Sequence, residues 1–268
     1  MQTILALART SLTLAFLLYA SFSDYKTREV SNSVWILFAP PAFALTFTEL
    51  FLFEQSQLPF YGLSFGLTAA FAIILFYSGG FGGADAKALM CMALALPFYP
   101  YPEKLFTPLS GQNSPISQMF FPMSVFSNSV LFAAAAAVYI LLRNVVWRWR
   151  TGKELFGKGY ESESLGKRIL VLITGYKIPI DKLKQKWHLY PLEDVEEETC
   201  KQKLVIIPKD EERNAIVERL AKAAEAGKIQ KNVWATPGLP MLIFITAGLI
   251  AALFFGDIIW VCIRFLLR

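Results

Sequence analysis

Six stretches of the chain read as helices that cross a membrane, and one long polar interval separates the fifth from the sixth. Apolar residues run from about Ile4 to Phe22, Val34 to Phe53, Phe60 to Tyr77, Ala86 to Phe98, Phe120 to Leu142 and Leu239 to Leu267. At about 1.5 Å of rise per residue, roughly 20 residues cross a hydrocarbon core about 30 Å thick. Arg9 interrupts the first run, which is read as a retained helix. A cleaved signal ending near Ala20, Ser21 and Ser23 would instead put Asp24 at a new terminus. Pro40 and Pro41 are expected to kink the second segment. The fourth is short and runs into Pro97, Pro100 and Pro102, so it does not reach the far headgroups unaided. A polar loop through Gly111 to Ser117 follows, and the alanines from Ala133 to Ala137 suit close packing of the fifth helix.

The polar interval, Arg143 to Val233, is long enough for a small domain. It opens on Trp147 to Arg150, WRWR, an aromatic and basic pairing suited to headgroups. Ile169 to Ile180 and Lys203 to Ile207 read as strands. Thr174 and Gly175 offer a turn in the first of them, although Leu170 to Ile173 also fits a continuing helix. Asp210 is an N-cap candidate, followed by Glu211 and Glu212. Ile216, Val217, Leu220 and Ala224 make a helical stripe that stops near Gly227. The acidic run from Glu193 to Glu198 reads as a solvated loop. The expected architecture is a polytopic α-helical membrane protein of six transmembrane helices, with a small α+β cytoplasmic domain inserted before the last helix. The divisions are 1–142, 143–233 and 234–268.

Composition agrees with the pattern, since 55% hydrophobic against 18% charged residues is too apolar for an ordinary soluble domain of 268 residues. The net charge of +5 does not point to nucleic acid, because the basic residues cluster beside the membrane segments. About 19 of the 26 lysines and arginines fall between Arg143 and Lys231, while Lys26, Arg28 and Lys87 follow the first and third segments. These loops alternate, so they share one side, which the positive-inside rule makes cytoplasmic and which leaves the N-terminus outside. The loops around Glu54 and around Glu103 and Lys104 then face outward, and Arg264 and Arg268 run against the pattern. Cys91, Cys200 and Cys262 are far apart and form neither a CxxC pair nor a disulfide framework. His188 is read as packed or solvent-facing rather than as a metal ligand.

Candidate chemistry lies where the pattern breaks. Ser78 to Leu89, SGGFGGADAKAL, places Gly79, Gly80, Gly82 and Gly83 between two apolar runs, and Asp85 just after them. A carboxylate at such a break is costly in a membrane and marks function by default. Asp24, in SDYKTREVSN, holds the same kind of position after the first run. Two aspartates at one membrane face suggest an aspartic protease, one carboxylate activating water while its protonated neighbour donates to the scissile carbonyl. Asp85 starts the fourth helix, where the dipole favours an anion. Lys26, Arg28 and Lys87 either tune this pair or meet headgroups. Asp257, about 18 residues into the last segment, is placed near the outer surface.

Three stretches, SDYKTREVSN, GGFGGADAKAL and WATPGLPMLIFI, carry a resemblance that covers nearly the whole chain. It resembles the archaeal preflagellin and prepilin peptidases. These are membrane aspartic proteases of the GxGD class, related to bacterial type IV prepilin peptidases and more distantly to presenilin and signal peptide peptidase. The resemblance implies that Asp24 and Asp85 are catalytic and that Gly82, Gly83, Ala84 and Lys87 support the site. Pro237, Gly238 and Pro240 either line substrate or simply start the last helix. It implies substrates that are archaellin or type IV pilin-like precursors, with a short basic leader before an apolar helix, and no metal or organic cofactor. Ala84 stands where the family's pattern has glycine, and Gly82 and Gly83 are expected to supply the backbone freedom instead. Ser23 precedes the first aspartate where presenilin-like enzymes have tyrosine. The paired cysteines of the bacterial methyltransferase domain are missing.

Two other classes fit parts of the pattern. A six-helix transporter would use the two aspartates as a proton or cation relay, though no inverted repeat is evident. A noncatalytic assembly factor would dock partners through the soluble insertion.

Overall fold

The computed structural model describes residues 1–100, 114–196, 202–206, 213–238 and 240–267. The expectations placed on Glu103 and Lys104, on Glu197 and Glu198, on Cys200 and Ile207, on Asp210 to Glu212 and on Gly111 to Asn113 lie outside these residues. The chain forms two compact units, 1–133 with 240–268 and 134–239. Among the described residues, four helices are long and apolar enough to cross a membrane, or five if a bent pair counts as one span.

In the first unit α1 (Gln2–Thr27), α2 (Asn32–Phe53), α3 (Leu58–Tyr77) and α10 (Met241–Phe255) surround α4 (Gly83–Ala95). α4 is 13 residues long, about 20 Å by helical rise. Its Ala86, Ala88, Leu89, Cys91, Met92, Ala93 and Ala95 are all buried, packed with Leu17, Phe38, Phe121 and Ile245. A helix enclosed by others need not match the bilayer, provided that its ends are satisfied. The C-terminal end is satisfied by side chains: Arg9 Nη1 and Thr46 Oγ1 donate to the Ala95 carbonyl oxygen at 3.0 and 2.9 Å. Tyr61 donates to Leu94 O at 3.0 Å, and Ser64 to Pro97 O at 3.1 Å. The charge of Arg9 that interrupts the first apolar run is thus accounted for. Its guanidinium, buried beside Glu49 at 2.8 Å, meets the negative end of α4.

The last apolar run is broken. α10 and α11 (Ile258–Leu266) bend by 57° at Gly256, whose φ is 74°. Asp257, placed from sequence near the outer membrane surface, is buried within the protein and holds the break together. Its Oδ1 accepts from Trp260 N at 3.1 Å, capping α11, and from Ser127 Oγ at 3.3 Å. Oδ2 accepts from Ser114 and Ser124 at 3.3 and 3.4 Å. Asn128 donates to Gly256 O at 2.9 Å and accepts from Ile258 N at 3.0 Å. Ser114 caps the short α5 (Pro115–Met119), which precedes α6 (Phe121–Thr151). α6 has 31 residues and so continues past Leu142 through WRWR. Gly248 packs so closely on α6 that an added Cβ would lie 2.6 Å from Val125 O and clash with Ser129. Gly248→Ala is therefore expected to destabilise the protein by about 1–3 kcal/mol through overpacking, read as a lowered unfolding temperature in detergent.

The second unit departs from its sequence reading in two places. Residues 165–174 form a helix, α7 (Leu165–Thr174), capped by Ser164, so only β1 (Tyr176–Pro179) of the expected first strand exists. Gly175 separates them rather than turning a hairpin: a Cβ there would sit 3.0 Å from Ala235 O. After α8 (Ile180–Gln185) come β2 (Tyr190–Pro191), β3 (Glu193–Val195) and β4 (Gln202–Leu204), then α9 (Arg213–Glu225) and β5 (Asn232–Thr236). β5 runs centrally in an antiparallel sheet of order β1-β5-β2, with Lys177 opposite Trp234, and β3 pairs with β4. The 233/234 division therefore falls within β5.

The described part of the acidic run is no loop. Glu193 is fully buried, taking the Tyr160 hydroxyl, and Asp194 pairs with Arg219 Nη2 at 2.6 Å. Burial pushes the Glu193 carboxyl above its ordinary range, opposed by Lys177 and by the Tyr160 hydrogen bond. Burial pushes the Lys177 ammonium down, and Glu193 opposes that in turn. α9 stops as read, with Gly227 at φ 70°.

Candidate active site

Asp24 and Asp85 line one open cleft of about 770 Å³, together with the backbone of Gly82 to Ala84 and the loop from Thr27 to Asn32. Asp24 sits in the last turn of α1, where its carbonyl oxygen accepts from Arg28 N at 2.9 Å. Arg28 then leaves the helix at φ 60°, a left-handed conformation uncommon for a residue with a side chain. Two hydroxyls hold the turn beyond it: Ser23 and Thr27 both donate to Glu29 O, at 2.8 and 3.0 Å. This loop carries the chain from α1 to the Ser31 cap of α2 and forms one wall of the cleft.

Asp85 is the third residue of α4, and its Oδ2 accepts from Gly82 N at 3.0 Å. That bond fixes the carboxylate over the helix N-terminus, where orphan amides and the dipole suit an acceptor. The glycines serve differently from the sequence reading. Only Gly79 has positive φ, at 77°, whereas Gly82 is at φ −71° and Ala84 lies within the helix. Alanine therefore fits at position 84 without strain. A side chain at Gly82 would crowd the carboxylate, since a Cβ there would lie 3.1 Å from Asp85 Oδ2. Gly82→Val is expected to push that carboxylate aside and lower turnover about 10²-fold with the fold retained, checked by rate and circular dichroism together.

Lys87 donates to Asn32 Oδ1 at 2.6 Å, tying α4 to the first turn of α2 at the edge of the cleft. Sequence reasoning named Lys87 as a candidate but did not name Asn32, nor the Ser23 and Thr27 clamp on Glu29. Pro240 caps α10 and is not among the residues lining the cleft. Pro237 and Gly238 follow β5 in the second unit, with Gly238 at φ 62° and its N–H on Thr236 Oγ1 at 3.2 Å.

Comparison with known proteins gives this geometry its context. The model of the type IV leader peptidase family matches residues 11–141, and that of the archaeal peptidase A24 C-terminus, type II, matches residues 167–258. The chain belongs to the type IV leader peptidase family. Among relatives, the preflagellin peptidase of Methanococcus voltae is 28% identical over 245 residues, 90% of this chain and 92% of that protein. The preflagellin peptidases of Methanocaldococcus jannaschii and Methanococcus maripaludis are 25% and 24% identical, each over 90% of this chain and over 91% and 92% of their own lengths. Membership in the leader peptidase family and these names support a membrane protease that processes leader peptides. Both aspartates of the cleft fall within the first matched region, and Pro237, Gly238 and Pro240 fall within the second.

Proposed function

We propose that this protein is an aspartic endopeptidase that removes short basic leaders from archaellin or type IV pilin-like precursors at the cytoplasmic membrane face. The observation that carries the reading is that Asp24 and Asp85, 61 positions apart in the chain, line the same cleft in a member of a leader peptidase family. One carboxylate accepts a proton from water as it attacks the scissile carbonyl carbon, and the other, protonated, donates to the carbonyl oxygen. The pair acts as a unit with one shared proton. Collapse of the tetrahedral intermediate moves a proton to the leaving amine, freeing the leader and a new N-terminus.

The six-span arrangement follows if α4 counts as a span within the bundle and α10 with α11 as the last. The basic loops support a cleft in the cytoplasmic headgroup zone. A precursor whose leader stays in the cytoplasm while its helix lies in the bilayer presents its scissile bond at that level. Binding falls to the cleft's own groups, among them Glu29, Asn32 and the backbone of Gly82 and Gly83. No metal or organic cofactor enters, because water and two carboxyls supply nucleophile, base and acid.

The test is processing of a full-length archaellin or pilin precursor in membranes holding this protein, with the new N-terminus read by mass spectrometry. Removal of the leader at its junction with the apolar helix supports the reading. An intact precursor of every class tried, beside a control leader peptidase that cuts them, overturns it.

A further inference from the structure

Helix α7 has its faces reversed for a helix in water. Its two charged residues are tied back to the segment before it: Lys167 Nζ, on a side chain 36% exposed, pairs with Glu163 at 2.9 Å, and Arg168 donates to the Tyr160 carbonyl oxygen. Val171 is buried between them. The outward face is apolar, with Leu165 75%, Ile169 57% and Leu170 41% exposed and Gly166 beside them. A solvated helix carries its charges outward and its leucines inward. The N-cap is made by Ser164, which accepts from Lys167 N, so the helix is well formed rather than frayed.

The second observation is the level at which α7 is held. Asn144, buried in α6, donates to Leu172 O at 2.9 Å and to Gly175 O at 2.7 Å, gripping the end of α7. Arg143 lies over the Tyr176 ring at 3.6 Å. α6 is one of the helices long and apolar enough to span a membrane, and Arg143 is its first charged residue. The grip therefore lies beside the first charge that follows the apolar length of α6. Around Asn144, α6 exposes Val145, Val146, Arg148, Trp149 and Arg150, and Lys153 follows just beyond it, the aromatic and basic mixture of an interface facing anionic headgroups.

We infer that α7 is an interfacial helix, lying in the headgroup zone of the leaflet where α6 ends with Leu165, Ile169 and Leu170 among the acyl chains. Its partner is the lipid surface. Continuity with the span argues for lipid over a second copy or another helix, because the end of α7 is held at Asn144, next to the first charged residue of a helix long and apolar enough to span a membrane. The inference holds whether or not the cleft is catalytic. It assigns the second unit a membrane anchor of its own beyond the covalent link through α6.

The test uses the full chain with Cys91, Cys200 and Cys262 replaced by serine, in vesicles of phosphatidylcholine and phosphatidylglycerol. A nitroxide is placed at Ile169→Cys, in a second protein at Leu165→Cys, and in a control at exposed Lys182→Cys. Power saturation compares collisions with oxygen, which concentrates in acyl chains, and with a water-soluble nickel chelate. Oxygen is expected to exceed nickel several-fold at 169 and 165, with the reverse at 182. Nickel exceeding oxygen at 169 and 165 places α7 in water and overturns the inference. Low values for both reagents place another protein surface over the face and overturn it equally.

Discussion

Asp24→Asn and Asp85→Asn are each expected to lower leader removal by more than about 10³-fold, and the double variant is expected to be no slower than either single one. Each carboxyl carries one of the two proton transfers in the same step, one taking a proton from water and the other giving one to the carbonyl oxygen. Without a base, water is a poor nucleophile, and without an acid the oxyanion must form unprotonated. Either loss stops the same step, so the second loss adds nothing. Asparagine retains the shape of the side chain, and at position 85 its carbonyl oxygen still accepts from Gly82 N, so the cleft is expected to survive. Single-turnover rates on a reconstituted precursor give the comparison. Additive losses would mean that the two carboxyls act separately.

The largest effect on stability is expected at the other end of α4. Arg9→Met leaves Glu49 buried, 3% exposed, with its cation gone, and strips one of two donors from Ala95 O. Breaking a buried pair in this way costs about 3–5 kcal/mol, because the remaining charge has nowhere to be solvated. Glu49→Leu is expected to cost a similar amount. The double variant Arg9→Met with Glu49→Leu is expected to regain most of the loss, since neither charge is then stranded and Thr46 still donates to Ala95 O at 2.9 Å. Thermal unfolding of the four proteins in one detergent measures this. Strict additivity would show that the two side chains do not act on one another.

These two effects sit at opposite ends of one short helix, and that arrangement explains what could be read from the sequence. The apolar runs of α1, α2, α3 and α6 were legible because lipid-facing helices must be apolar almost all round. Asp24 and Asp85 were legible because carboxylates beside such runs are costly enough to need a reason. The same argument applied to Arg9 and Glu49 would have paired them, since each interrupts an apolar run. The break at Gly256 was hidden because Asp257, its neighbouring serines and Asn128 come from segments more than 120 positions apart. Ile169 to Ile180 read as a strand from β-branched and leucine content, with a helix only as the alternative for Leu170 to Ile173. The choice is made by Asn144 and Ser164, which hold both ends of α7. Glu193 looked like part of a solvated acidic run because nothing local announces that Tyr160 and Lys177 will surround it. Ala84 looked like a departure until the onset of α4 at Gly83 showed that its backbone is helical.

The central claim is that cutting takes place in the cleft between the Thr27 to Asn32 loop and the start of α4. The most direct measurement is photo-crosslinking of a precursor that carries a benzophenone side chain beside the scissile bond to the intact but inactive Asp85→Asn protein in membranes, followed by peptide mapping. The account predicts label on residues 23–32 or 82–85. Label confined to the opposite end of the bundle, on residues 114–120 or 256–260, would contradict it.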